Sequence, residues 1–183
     1  MKKWMSRVAV LVGLVSAATA SPLSNSAKNV IPQDVQQIIV VDYRAMNNSP
    51  SASALKDKVI PQQVKDFESA LRDSGVDPAR EVDQIAFASF RAKGGLTMVG
   101  VAAGNFTPQK LTLNLRKQKI VGAKYRTATI YPMAGGMSMA LVDPTTMVFG
   151  QESAVKAALD ARDGESRSLN SNTAMTDMAP AVE

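Results

Sequence analysis

The chain has 183 residues, 45% of them hydrophobic and 20% charged, with a formal charge of +5, a composition that suits one globular domain and excludes disorder throughout. It contains no cysteine and no histidine. That excludes disulfides, Cys–His and Ser–His–Asp nucleophile systems, the usual zinc sites and a histidine base near neutral pH.

The first residues predict export. Lys2, Lys3 and Arg7 form a positive start, Val8 to Val15 an apolar run, and Ala18-Thr19-Ala20 the small side chains that a signal peptidase reads, which places the cut between Ala20 and Ser21. The uncharged stretch from Val8 to Ala20 is 13 residues, whereas a membrane span needs roughly 17 to 25. A mature chain that is periplasmic or secreted, without a transmembrane span, is therefore expected. Loss of Lys2, Lys3 and Arg7 leaves 18 basic against 16 acidic residues, or +2, and nucleic acid is not an expected partner.

Residues 21 to 30 are small and polar without a period and read as a flexible leader. Gln36 to Tyr43, with Ile38, Ile39, Val40 and Val41, reads as a buried strand, and Asn47-Asn48-Ser49-Pro50 as the turn behind it. Pro61 opens a helix in which Val64, Phe67 and Leu71 repeat at helical spacing and Ser74-Gly75 is the stop. Val82 to Arg91 and Leu96 to Ala103 form a hairpin across Lys93-Gly94-Gly95, the first strand apolar on both faces.

Thr107-Pro108 then marks a helix start. Leu111, Leu113 and Leu115 alternate as in a strand, but the cap and the four-residue spacing of Leu111 and Leu115 favour a helix. Lys124 to Met133, Met137 to Val142 and Thr146 to Gly150 read as strands, with Asp143-Pro144-Thr145 as a turn. Ser153 to Arg162 reads as a helix ended by Gly164. Residues 165 to 183 read as a tail with a short helix from Thr173. This order predicts an α+β domain over 31–164: a two-layer sandwich, an antiparallel sheet with helices on one face and a ferredoxin-like core.

Charge is unevenly spread. Residues 84 to 142 hold eight basic residues and no acidic one, whereas 28 to 83 sum to −2 and 143 to 183 to −4. Lys110, Arg116, Lys117, Lys119, Lys124 and Arg126 are thus candidates for a patch facing an anionic partner. The competing account is local, since cations at a helix C-terminus are favoured by its dipole.

Other constellations are weaker. Met133, Met137 and Met139, with Met98, Met147, Met175 and Met178 elsewhere, are soft thioethers of the kind that select Cu(I), although methionine also fills core gaps. Ser53-Ala54-Leu55-Lys56 and Ser153-Ala154-Val155-Lys156 have the Ser-x-x-Lys spacing but lack the Lys-Thr-Gly element that accompanies it in penicillin-recognising enzymes. Asp42, Asp83, Asp143 and Asp160 are the carboxylates from which a hydrolase or transferase would have to draw. No pattern calls for a cofactor.

Val30-Ile31-Pro32-Gln33-Asp34 leading to Val41-Asp42-Tyr43-Arg44, then Asn48-Ser49-Pro50, Gly75-Val76-Asp77-Pro78, and Phe149-Gly150 before Ala154 to Asp160 together resemble a group of exported bacterial proteins of unknown function, Acidobacteria-like, over residues 30 to about 175. The shared motifs are turns and strand ends, so the resemblance implies fold and export rather than an activity. Members of that group often carry a second similar region, so the expectation is a single-unit or a shortened member. The expected function is a non-enzymatic binding module of the cell envelope, facing a protein or an anionic surface. Carboxylate-based hydrolase or transferase chemistry and methionine-based Cu(I) binding are the alternatives.

Overall fold

The structure is a computed structural model that describes residues 22–49, 62–92 and 94–172. The proposed cleavage site at Ala20 and Ser21, Pro61, the Ser53–Lys56 tetrad and the expected helix from Thr173 lie outside these residues. The order along the chain is α1 (Asn25–Val30), β1 (Val35–Asp42), α2 (Tyr43–Asn48), α3 (Gln62–Asp73), α4 (Pro78–Glu81), β2 (Val82–Ala92) and β3 (Gly95–Gly104). It continues with α5 (Pro108–Lys117), β4 (Ala123–Tyr125), β5 (Ala128–Pro132), β6 (Ser138–Asp143), β7 (Thr146–Gly150) and α6 (Glu152–Arg162).

All seven strands form one antiparallel sheet in the order β1-β2-β3-β7-β6-β5-β4. The α+β class and the antiparallel sheet are as the sequence predicts. The single helical layer and ferredoxin-like order are not. Strand residues alternate between two faces: Ala88, Phe90, Val99, Val101, Ala140 and Val148 pack under α1 and α6, while Ile85, Phe87, Ala102, Met139, Met147 and Phe149 pack under α2, α3 and α5. Helices therefore cover both faces, because β2, β3 and β7 are apolar on both and neither side can be left to water.

Several boundaries move. Residues 25–30 are a helix, not a leader: the Ser24 hydroxyl accepts from the Ala27 amide at 3.1 Å, and Ala27 and Val30 are buried. The tail folds back too, the Leu169 amide donating to the Ile31 carbonyl at 2.7 Å while the Leu169 side chain is buried. β1 is an edge strand with Gln36, Gln37 and Ile39 exposed, not a buried one. Tyr43, expected to end it, begins α2, which Asp42 caps by accepting from the Ala45 amide at 2.8 Å. The strand expected over Lys124 to Met133 is a hairpin, β4 and β5, turning at Arg126-Thr127.

Helix ends follow the capping rules. After α3 the Gly75 amide bonds to the Arg72 carbonyl and the Val76 amide to that of Leu71, each at 2.9 Å, with Gly75 at φ 76°. This is a Schellman closure, and buried Val76 and Leu71 supply its apolar contact. The helix reading of residues 108–117 holds: Leu111 and Leu115 are buried, and Leu113 is 54% exposed.

Candidate functional site

Two of the six candidate cations are paired with carboxylates. Lys110, in the first turn of α5, is bonded to Glu81 of α4 at 3.0 Å. Arg126, in the β4–β5 turn, pairs with Asp160 and, at 2.9 Å, with Glu165. The Asp160 carboxylate, bonded to the guanidinium and also taking the Tyr125 hydroxyl at 3.0 Å, raises the Arg126 pKa. Both cations are thus committed to holding neighbouring elements together.

The other four follow one another along the chain from the end of α5 into β4. Arg116 and Lys117 end α5, Lys119 closes it, and Lys124 lies in β4 five residues on. None of them has an ion pair among the described residues. The closure fixes the end of α5: the Lys119 amide bonds to the Arg116 carbonyl at 3.0 Å and the Ile120 amide to that of Leu115 at 2.9 Å, while the Gln118 side chain donates to the Asp73 carbonyl of α3. Lys124 is adjacent to Tyr125, which packs toward α6, so strand alternation sends Lys124 to the face that α5 covers.

Apolar surface accompanies these charges. Val121, in the α5–β4 connection, is 82% exposed, and Leu113 projects from α5 one turn before Arg116. A shallow groove of about 500 Å³ along the outer side of α5 is lined by Pro108, Gln109, Thr112, Leu113 and Arg116. The exposed leucine was legible in the Leu111-Leu113-Leu115 alternation once the segment is helical, but Val121 carries no sequence signal.

The candidate carboxylates each have a local partner. Asp42 caps α2, Asp83 pairs with Arg44, and Asp160 holds Arg126. Burial works to raise the Asp143 pKa, but the hydrogen bonds from the Thr145 hydroxyl and amide, each 2.7 Å, favour the charged form, and the net shift is below its ordinary 3.8. Lys156 of the second Ser-x-x-Lys tetrad is bonded to Glu152 at 2.6 Å.

One buried polar cluster went unread in the sequence. Tyr43 donates to Glu68, which also takes Arg72 at 2.9 Å. Burial, reinforced by Glu68, drives the tyrosine pKa far above its ordinary value. The phenol therefore stays a donor, and the cluster fastens α2 to α3.

Among the described residues no three His, Cys, Asp or Glu side chains are grouped to hold a metal ion, and no helix is long and apolar enough to cross a membrane. Of the methionines, Met139 and Met147 are buried in the core, whereas Met98 and Met137 line an open groove at the end of the sheet. Met175 and Met178 lie outside the described residues.

No protein-family model and no curated protein matches the chain. Among solved structures it is similar to TP0453 in crystal form I, with 11% identity and a TM-score of 0.45 over 75% of this chain, and in crystal form III, with 12% identity and the same score and coverage. The chain spans about half the length of those proteins, 50% and 51%.

Proposed function

We propose that this chain is an exported envelope module, with no catalytic chemistry of its own, that binds an anionic lipid surface through the corner made by the end of α5 and β4. The reading is carried by Arg116, Lys117, Lys119 and Lys124, four cations without ion pairs among the described residues, set around exposed Leu113 and Val121. Each cation near an anionic surface contributes about 1 kcal/mol. The two apolar side chains are what a bilayer interface accommodates and a purely polar polymer does not.

The test is sedimentation of the purified protein with phosphatidylglycerol-containing vesicles at several salt concentrations. Reversal of Arg116, Lys117 and Lys124 to Glu removes about 3 kcal/mol of attraction and adds repulsion from three carboxylates, weakening binding by about two orders of magnitude or more, with an unchanged melting temperature. Wild-type binding weakens as salt rises. Equal binding by wild type and the triple variant, or no binding at low salt, rejects the proposal.

A further inference from the structure

β1 is one edge of the sheet, and its outer side is open. Pairing with β2 runs without a break from Gln37 opposite Ser89 to Asp42 opposite Gln84, and an antiparallel neighbour satisfies only every second amide and carbonyl of a strand. The groups between them point away from the sheet and have no hydrogen-bond partner among the described residues. The helix that follows, α2, turns inward and packs on β2, so it does not close this side. The opposite edge of the sheet, β4, is a strand of only 3 residues.

Proteins that must stay single usually protect such an edge with a lysine, a proline or a bulge. From Gln37 to Val41 the chain reads Gln-Ile-Ile-Val-Val, without charge or proline, and the one bulge, at Gln36, lies outside this run. Ile39 stands opposite Phe87, on the face under α2, α3 and α5, yet it is 51% exposed because no strand lies on its other side. Ile38 and Val40 point to the other face and are only half-buried there.

An uncharged run does not select a charged partner, and this one is complementary to itself. We propose that two copies of this chain pair through β1, antiparallel, about a two-fold axis perpendicular to the sheet, which then continues from one copy into the other. Directly opposed residues share a face of a sheet, so the axis must pass through a residue and not between two. Centring on Ile38 draws the Gln36 bulge into the ladder, and centring on Val40 sets Tyr43, the first residue of α2, against Gln37. Centring on Ile39 keeps the whole pairing, residues 37–41, between bulge and helix. It opposes Ile39 to Ile39, Ile38 to Val40 and Gln37 to Val41, so the apolar side chains left open in a single copy cover one another. A contact this short falls below the roughly 1,600 Å² of a standard interface, and the dimer is therefore reversible and concentration-dependent.

The experiment is sedimentation equilibrium of the purified protein, without vesicles, from about 1 µM to about 1 mM. The wild-type mass rises toward twice the monomer value with concentration. Ile39→Lys places a charge at a half-exposed position of the edge, so it weakens association by about tenfold or more and leaves the melting temperature of the dilute protein unchanged. Ile39→Cys reads the register, because the chain has no cysteine of its own. Opposed residues of an antiparallel pair, about 4.5–5.5 Å apart at Cα, lie within disulfide reach, and mild oxidation gives a covalent dimer. Val121→Cys, at a more exposed position, gives none under the same conditions. A wild type that stays monomeric throughout, association undiminished in Ile39→Lys, or equal cross-linking through both cysteines overturns the proposal, and the first of these leaves the edge to an extended segment of another protein. None of these outcomes depends on lipid binding.

Discussion

Lys119 holds φ at 60°, in the left-handed region where a side chain is disfavoured, because the closure of α5 requires that conformation at this position. The equivalent positions after α3 and α6 are Gly75 at 76° and Gly164 at 78°. Lys119→Gly removes a strain of about 1–2 kcal/mol, partly offset by the greater freedom of glycine in the unfolded chain. A net gain of about 0.5–1 kcal/mol is expected, raising the melting temperature by about 1–4 °C. The same change removes one of the four corner cations and weakens vesicle binding severalfold, so calorimetry and sedimentation move in opposite directions. The sequence hid this strain: Gly75 and Gly164 announce their caps, whereas a lysine among basic residues reads only as charge.

Among the elements, α3, β2, β3 and β7 meet around the Phe149 ring. The Phe67 ring of α3 stacks on Phe149 of β7 with centroids 3.7 Å apart and planes 8° apart, and Phe87 meets Phe149 edge-on at 6.0 Å. Gly100 of β3 stands opposite Phe149, and a Cβ there would fall on its ring. Alanine for glycine in a strand ordinarily stabilises by about 0.5–1 kcal/mol, but here the ring is held between Phe67 and Phe87 and cannot move aside. Gly100→Ala is therefore expected to lose about 1–3 kcal/mol in denaturant unfolding. Phe149→Leu, costly alone, is expected to restore part of that loss in the double variant. The elements themselves were largely legible, since Pro108, Gly75, Gly164 and the Gly94-Gly95 pair mark their ends. Their neighbours were not. Nothing local says that β7 inserts between β3 and β6, and only that insertion brings Met98 into one row with Met137.

Across the whole molecule, the sequence misled where a few residues perform a large task. β2 was readable as apolar on both faces, which already called for cover on two sides, yet the second cover includes a six-residue helix with only Ala27 and Val30 as buried positions. That is too short a pattern to show a helical period. It is tied down instead by contacts distant in sequence: Asn29 bonds to Asn170, and the Ile31 carbonyl takes the Leu169 amide. A flexible leader would tolerate any small residue at position 30. In this fold Val30 is fully buried among the residues under α6, and Val30→Ala is expected to cost about 1.5–3 kcal/mol. Leu169→Ala, 4% exposed in the returning tail, is expected to cost about 2–5 kcal/mol. Because α1 and the 169–171 turn pack on each other, the double variant should lose measurably less than the sum, a coupling that urea midpoints of the four proteins would resolve. Near-zero effects from both single changes would return these two segments to the status of mobile flanks and leave α6 as the sole cover of that face.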